Sequence, residues 1–118
     1  MTDLTFPDEA SFLEAFGVEP SDMNPADGYW QYSFLDDSGT KLNLSFNKFE
    51  RSFQVALFKQ GLELCIISHA GEFSFSIWKE VSAGGVKSAW TDGDAKTRVS
   101  IQICPSISVQ WATLRDRR

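Results

Sequence analysis

Apolar and polar residues alternate with a period of two over most of this chain. Trp30, Tyr32 and Phe34 interleave with Gln31 and Ser33, and Leu42, Leu44 and Phe46 interleave with Asn43, Ser45 and Asn47. Successive side chains of a strand point to opposite faces, so each run predicts a strand with one face buried. Asp36, Asp37, Ser38 and Gly39 between the runs carry turn chemistry, and residues 29–48 are expected to form a hairpin. Phe53, Val55 and Leu57 open a second hairpin, which Gln60 and Gly61 turn and Leu62, Leu64 and Ile66 carry back. Ala70 and Gly71 then lead into Phe73, Phe75 and Ile77, whose opposite phase holds Ser74, Ser76 and Trp78. Val99, Ile101 and Ile103, followed by Ile107, Val109 and Trp111 beyond Pro105 and Ser106, supply the last strand signals.

The amino-terminal part has a different pattern. Phe12, Leu13 and Phe16 recur at helical spacing, Pro7 suits a first helical turn, and Asp8 with Glu9 complements its positive end. With Gly17 placed for a left-handed cap, the spacing predicts a helix over residues 7–16. Pro20, Ser21, Asn24, Pro25, Asp27 and Gly28 make residues 17–28 an ordered connecting loop and the leading candidate for a partner-facing segment. Gly84, Gly85, Lys87 and Ser88 break the periodicity of residues 81–91, which reads as an irregular loop.

These elements predict an α+β fold that is mainly β, with one N-terminal helix packed on a strongly twisted antiparallel meander of about seven strands, as a half-barrel or a sandwich. The connections are too short for parallel crossovers. A chain of 118 residues fits one domain: a helix and acidic loop over 1–28, an antiparallel sheet over 29–112 and a basic tail over 113–118. The expected core comprises Phe34, Leu44, Phe46, Val55, Leu57, Leu64, Ile66, Phe75, Ile77, Ile101 and Val109, with Trp30 and Trp111 in the same phase.

Charge divides the chain sharply. The first forty residues hold nine carboxylates and no Lys or Arg, a charge of −9, and the remainder carries +4, for a net charge of −5. A one-signed stretch of this kind can attract and orient a basic partner, or simply keep an aromatic-rich domain soluble. Glu19, Asp22, Asp27, Asp36 and Asp37, in predicted loops and turns, are the candidate partner-binding carboxylates. Trp78 lies on a polar phase and Trp90 in the irregular segment, so each is either an interface anchor or a ring folded over the sheet edge. The acidic balance argues against nucleic acid as partner, since the one cluster of bases is Arg115, Arg117 and Arg118. Met1 to Leu4 resemble no secretory signal and no run is long enough for a membrane helix, which predicts a soluble, cytoplasmic protein with no membrane partner.

Catalytic and cofactor chemistry is sparse. The single histidine, His69, sits at a strand end without a nucleophile or orienting acid at any recognisable spacing. Cys65 and Cys104 read as small buried hydrophobes, and with one histidine they do not make up a metal site. Asp92, Gly93 and Asp94 form a turn lacking the later ligands of a calcium loop, and Gly84 with Gly85 lacks the setting of a phosphate loop. No catalytic, cofactor-binding or metal-ligating residue is expected.

In size, acidity, the helix and loop carrying Phe12, Phe16 and Asp27, and the strand-rich body with WQYSFLDDSGTKLNLSF and SISVQW, the chain resembles the small acidic immunity proteins encoded beside polymorphic and contact-dependent toxins of bacteria. The resemblance implies a stoichiometric, non-enzymatic inhibitor that covers a toxin, commonly setting acidic groups against a basic one. A secretion or assembly chaperone and a small-ligand β-module are the alternatives from other classes.

Overall fold

The computed structural model describes residues 6–115. Helix α1 (Glu9–Phe16) begins where Asp8 Oδ1 accepts the Ser11 amide at 2.8 Å and ends at Gly17, whose φ of 70° suits a residue without a β-carbon. The Ser11 amide and hydroxyl hold the Asp8 carboxyl below its ordinary range. Two antiparallel sheets follow. The first has the order β1 (Asp22–Asn24), β2 (Tyr29–Leu35), β3 (Thr40–Asn47), β4 (Ser52–Lys59) and β5 (Leu62–Ala70). The second has the order β6 (Ser74–Lys79), β7 (Gly84–Asp92), β8 (Ala95–Cys104) and β9 (Ser108–Arg115). Within each sheet every strand pairs with its neighbour in sequence, and the chain changes sheets at the turn containing Gly71.

The inner face of the first sheet is a grid of cross-strand rows, among them Trp30, Phe46, Phe53 and His69, and Tyr32, Leu44, Val55 and Ile67. Phe75 of the second sheet meets Phe53 and Phe46 with ring centroids 5.5 and 6.1 Å apart. Phe12 of α1 stacks on Tyr32 at 4.0 Å, so the helix extends the same aromatic cluster. The Tyr32 hydroxyl is buried without a partner among the described residues, and burial, with the charges of Glu9 and Asp8, pushes it up to about 12.

Several sequence expectations need correction. The described residues form nine strands rather than about seven, in two antiparallel sheets. The added strands are β1, inside the expected loop 17–28, and β7, inside the expected irregular segment 81–91. Leu64 and Ile66, expected in the core, are 59% and 47% exposed, because β5 turns Cys65, Ile67 and His69 inward instead. A bulge opposite Leu57 and Phe58 inserts one residue and fixes that phase. Trp111 is also outside the core at 65% exposure: its phase is inward, but β9 is the last strand of its sheet. Ile77, Val109 and Trp30 are only half-buried, whereas the remaining expected core positions are buried. Cys65 and Cys104 are free, half-buried and in different sheets.

Asp36 links the two sheets. Its Oδ1 accepts the amides of Ser38 and Thr40, each at 3.0 Å, and its Oδ2 accepts the Ile107 amide from the β8–β9 turn at 2.8 Å. The Ile107 amide first, then the Ser38 hydroxyl, bring its carboxyl down to about 2. The stabilisation is therefore complete above the unfolded value of about 3.9, declines as pH falls from there, and is gone once pH passes below about 2. Asp36→Asn should melt at a lower temperature than the wild type at pH 7, with the two curves converging near pH 2. Parallel melts across that range check it; an unchanged gap at low pH would mean the carboxylate is not the link.

Candidate partner-binding surface

The 3-10 turn Pro25–Asp27 and the β3–β4 turn are latched together by backbone chemistry that the local sequence dictates. Asn47 Nδ2 donates to the Asp27 carbonyl at 3.0 Å, and its Oδ1 accepts the Phe49 and Glu50 amides at 2.9 Å. Lys48 N–H donates to the Gly28 carbonyl at 2.8 Å. Gly28 has φ 74°, and a β-carbon there would stand 2.9 Å from the Phe49 ring, so glycine both permits the turn and seats the ring. The result is an open cleft of about 760 Å³ bordered by Asp22, Asp27, Glu50, Met23, Tyr29 and Phe49. Phe49 is 69% exposed on its rim. Burial, then the charge of Asp22, raises the Tyr29 phenol, which remains a neutral donor to Gln31 Oε1 at 2.9 Å.

Three carboxylates beside an exposed ring and a methionine make a surface suited to cationic side chains: the acids attract, and the apolar rim covers the aliphatic stems. Asp27 is oriented by Asn24 Nδ2 at 2.7 Å.

Of the candidate carboxylates, the structure brings Asp22 and Asp27 together in this cleft and leaves the others elsewhere. Asp36 and Asp37 lie beyond the opposite end of β2, seven residues away or about 20 Å of extended chain. Asp36 is engaged in the inter-sheet link, and Asp37 and Glu19 are exposed. Trp90 lies on the inner face of β7, stacked on His69 at 4.0 Å and tilted against Phe53 at 6.1 Å. Trp78 is half-buried on the outer face of β6 opposite Gly85, its Nε1 without a partner among the described residues. His69 is thus held between Trp90 and Phe73. No group of three His, Cys, Asp or Glu with metal-binding placement occurs among the described residues.

Phe49 and Glu50 are not singled out by the strand alternation, although a large ring in the polar stretch Asn47, Lys48, Phe49, Glu50 departs from it. That departure is the available signal of an exposed anchor.

No family model matches the chain, and a search of curated proteins finds no match. Among solved structures, the chain is similar to one chain of a contact-dependent growth inhibition toxin–immunity protein complex from Klebsiella pneumoniae 342. The TM-score is 0.85 at 21% identity, covering 97% of this chain and all of the other. At that identity the likeness is one of fold.

Proposed function

We propose that this chain is an immunity protein: a non-catalytic, acidic, cytoplasmic inhibitor that neutralises a cognate bacterial toxin domain by binding it directly. The observation that carries the reading is the fold shared, over nearly its full length, with a chain from a toxin–immunity complex. The acidic cleft supports a basic partner, and the isoelectric point near 4.7 suits the member of such a pair that covers a cationic surface. Asp22, Asp27 and Glu50 attract the toxin, Phe49 and Met23 supply apolar contact, and Asp37 and Glu19 extend the negative field. No cofactor enters this mechanism. The test is co-production with the toxin domain encoded in the adjacent reading frame. Growth should be restored and a stoichiometric complex recovered, whereas unrelieved toxicity with no complex would overturn the reading.

In the double variant Asp22→Lys with Asp27→Lys, association should slow about tenfold at low ionic strength, and added salt should slow the wild type more than the variant. Stopped-flow mixing with the toxin domain measures both, and equal rates at low salt would reduce these acids to a solubility role. Folding stability should move by no more than about 0.5 kcal/mol for each exposed charge.

A chaperone for an extended partner segment is the second reading, favoured by exposed Leu62, Leu64 and Ile66 along β5. A secreted effector in the adjacent frame, bound through those residues, would put it first.

A further inference from the structure

Strand β9 is an edge of the second sheet, hydrogen-bonded to β8 on one side. Its eight residues pair in continuous register with β8, and no proline or glycine interrupts them. The other edges are blunted: β1 has three residues, β5 bulges at Leu64 opposite Leu57 and Phe58, and β6 packs beside α1 with Lys79 Nζ donating to the Ala15 carbonyl at 2.9 Å. Natural sheets guard such edges, and a regular unguarded one is a template for another strand. Trp111 and Leu114 also stand exposed along β9 on opposite faces.

Charge on the adjoining face identifies the occupant. The strand positions of the outer face of the second sheet include Lys87, Lys96 and Arg98 and hold no carboxylate. A groove of about 490 Å³ crosses this face, bordered by Lys87, Arg98, Ser100, Gln110 and Ala112. Arg98 pairs with Ala112 and Lys96 with Leu114. A strand added beside β9 would lie two strand spacings, about 10 Å, from β8. Arg98 is exposed and faces such a strand across Ala112, whose side chain is small, so two extended side chains can span that separation. Antiparallel pairing with β9 of a second copy would bring no carboxylate to Arg98 and Lys96, because residues Ser108–Arg115 contain none.

We infer that the β9 edge is a docking site for an extended acidic segment of the toxin partner, which adds a fifth strand to the second sheet, sets its carboxylates against Arg98 and Lys96, and covers Trp111. The inference rests on the toxin-neutralising reading and deepens it. The cleft attracts cationic groups, and a contact of opposite sign fixes which way round the partner sits, something a one-signed surface leaves open.

The experiment compares hydrogen exchange of the free chain with that of its complex with the toxin domain from the adjacent frame, and measures binding by Arg98→Glu and Ala112→Lys variants. Both changes are on the strand surface, and circular dichroism checks that the sheets are retained. The expected result is added protection of alternate amides within residues 108–115 and affinity at least tenfold weaker for each variant. A complex of full affinity in both variants, with β9 exchanging as in the free chain, overturns the inference and leaves the immunity reading standing. Failure of the wild type to bind the toxin overturns both. Concentration-dependent β9 protection in the free chain, with a dimer in sedimentation, makes a second copy the occupant and overturns the inference.

Discussion

Replacing Phe46 with alanine should cost about 3 to 5 kcal/mol of folding stability. Phe46 is 2% exposed and is the hub of the aromatic cluster: its ring stacks on Phe6 at 4.5 Å and lies 6.1 to 6.4 Å from Phe12, Trp30, Tyr32 and Phe75. These neighbours come from the segment before α1, from α1 itself and from both sheets, so no single element can move to fill the space. The loss combines the transfer free energy of the ring with that of a persistent cavity. Against a typical total of about 5 to 15 kcal/mol it removes a large share of the stability. Urea unfolding at constant slope measures it, and Phe46→Leu should recover part of the deficit. A change below about 1 kcal/mol would mean that the cluster does not organise the core.

Gly85→Ala should be comparably damaging for a different reason. Strand β8 bulges at Ile103, opposite Gly84 and Gly85 of β7, and the two backbones approach so closely that a β-carbon on Gly85 would be driven into the Ile101 carbonyl, with the carbonyl carbon 2.8 Å away. Backbone cannot yield as a side-chain tip can, so the two strands must separate. The expected cost is about 3 kcal/mol or more, at the upper end of overpacking effects. Gly84→Ala is the internal control: its nearest neighbour, at 3.0 Å, is the flexible Lys79 side chain, and the change should be much milder. Equal stability of the two variants would show that the close approach of β7 to β8 is not maintained in solution.

That bulge also explains what could be read from the sequence. Strands β2 to β4 were legible because their inner positions are apolar from Trp30 to Phe34, from Leu42 to Phe46 and from Phe53 to Leu57, and turn residues separate them. In β7 the inner phase runs Val86, Ser88, Trp90, and the buried Ser88 interrupts it. Its hydroxyl is satisfied by donating to the Ser74 carbonyl at 2.7 Å, a partner that sequence spacing does not reveal. Gly85, which resembles loop punctuation, is there because β8 comes close. Strand β5 is apolar in both phases, Leu62, Leu64 and Ile66 against Cys65 and Ile67, so alternation alone could not choose between them. For Trp111 the phase was correct and burial still failed, because burial depends on what lies opposite an edge strand. The acidity of the first forty residues was visible in the sequence. Its division between a cleft and a structural link was not, because the side chains of Asp36 and Asn47 reach parts of the chain far away in sequence.

The nearest-neighbour pairing of the strands has a consequence for how the chain acquires its structure. Each ladder closes a short loop, and the entropy cost of closure grows with loop length, so every hairpin can form from residues already at hand. Contacts that span the sequence belong to a later step: Asp36 with Ile107, 71 residues apart, and Lys79 with Ala15, 64 apart. During synthesis the first sheet can therefore be complete before the last strands have left the ribosome, and joining of the two sheets awaits the final third of the chain.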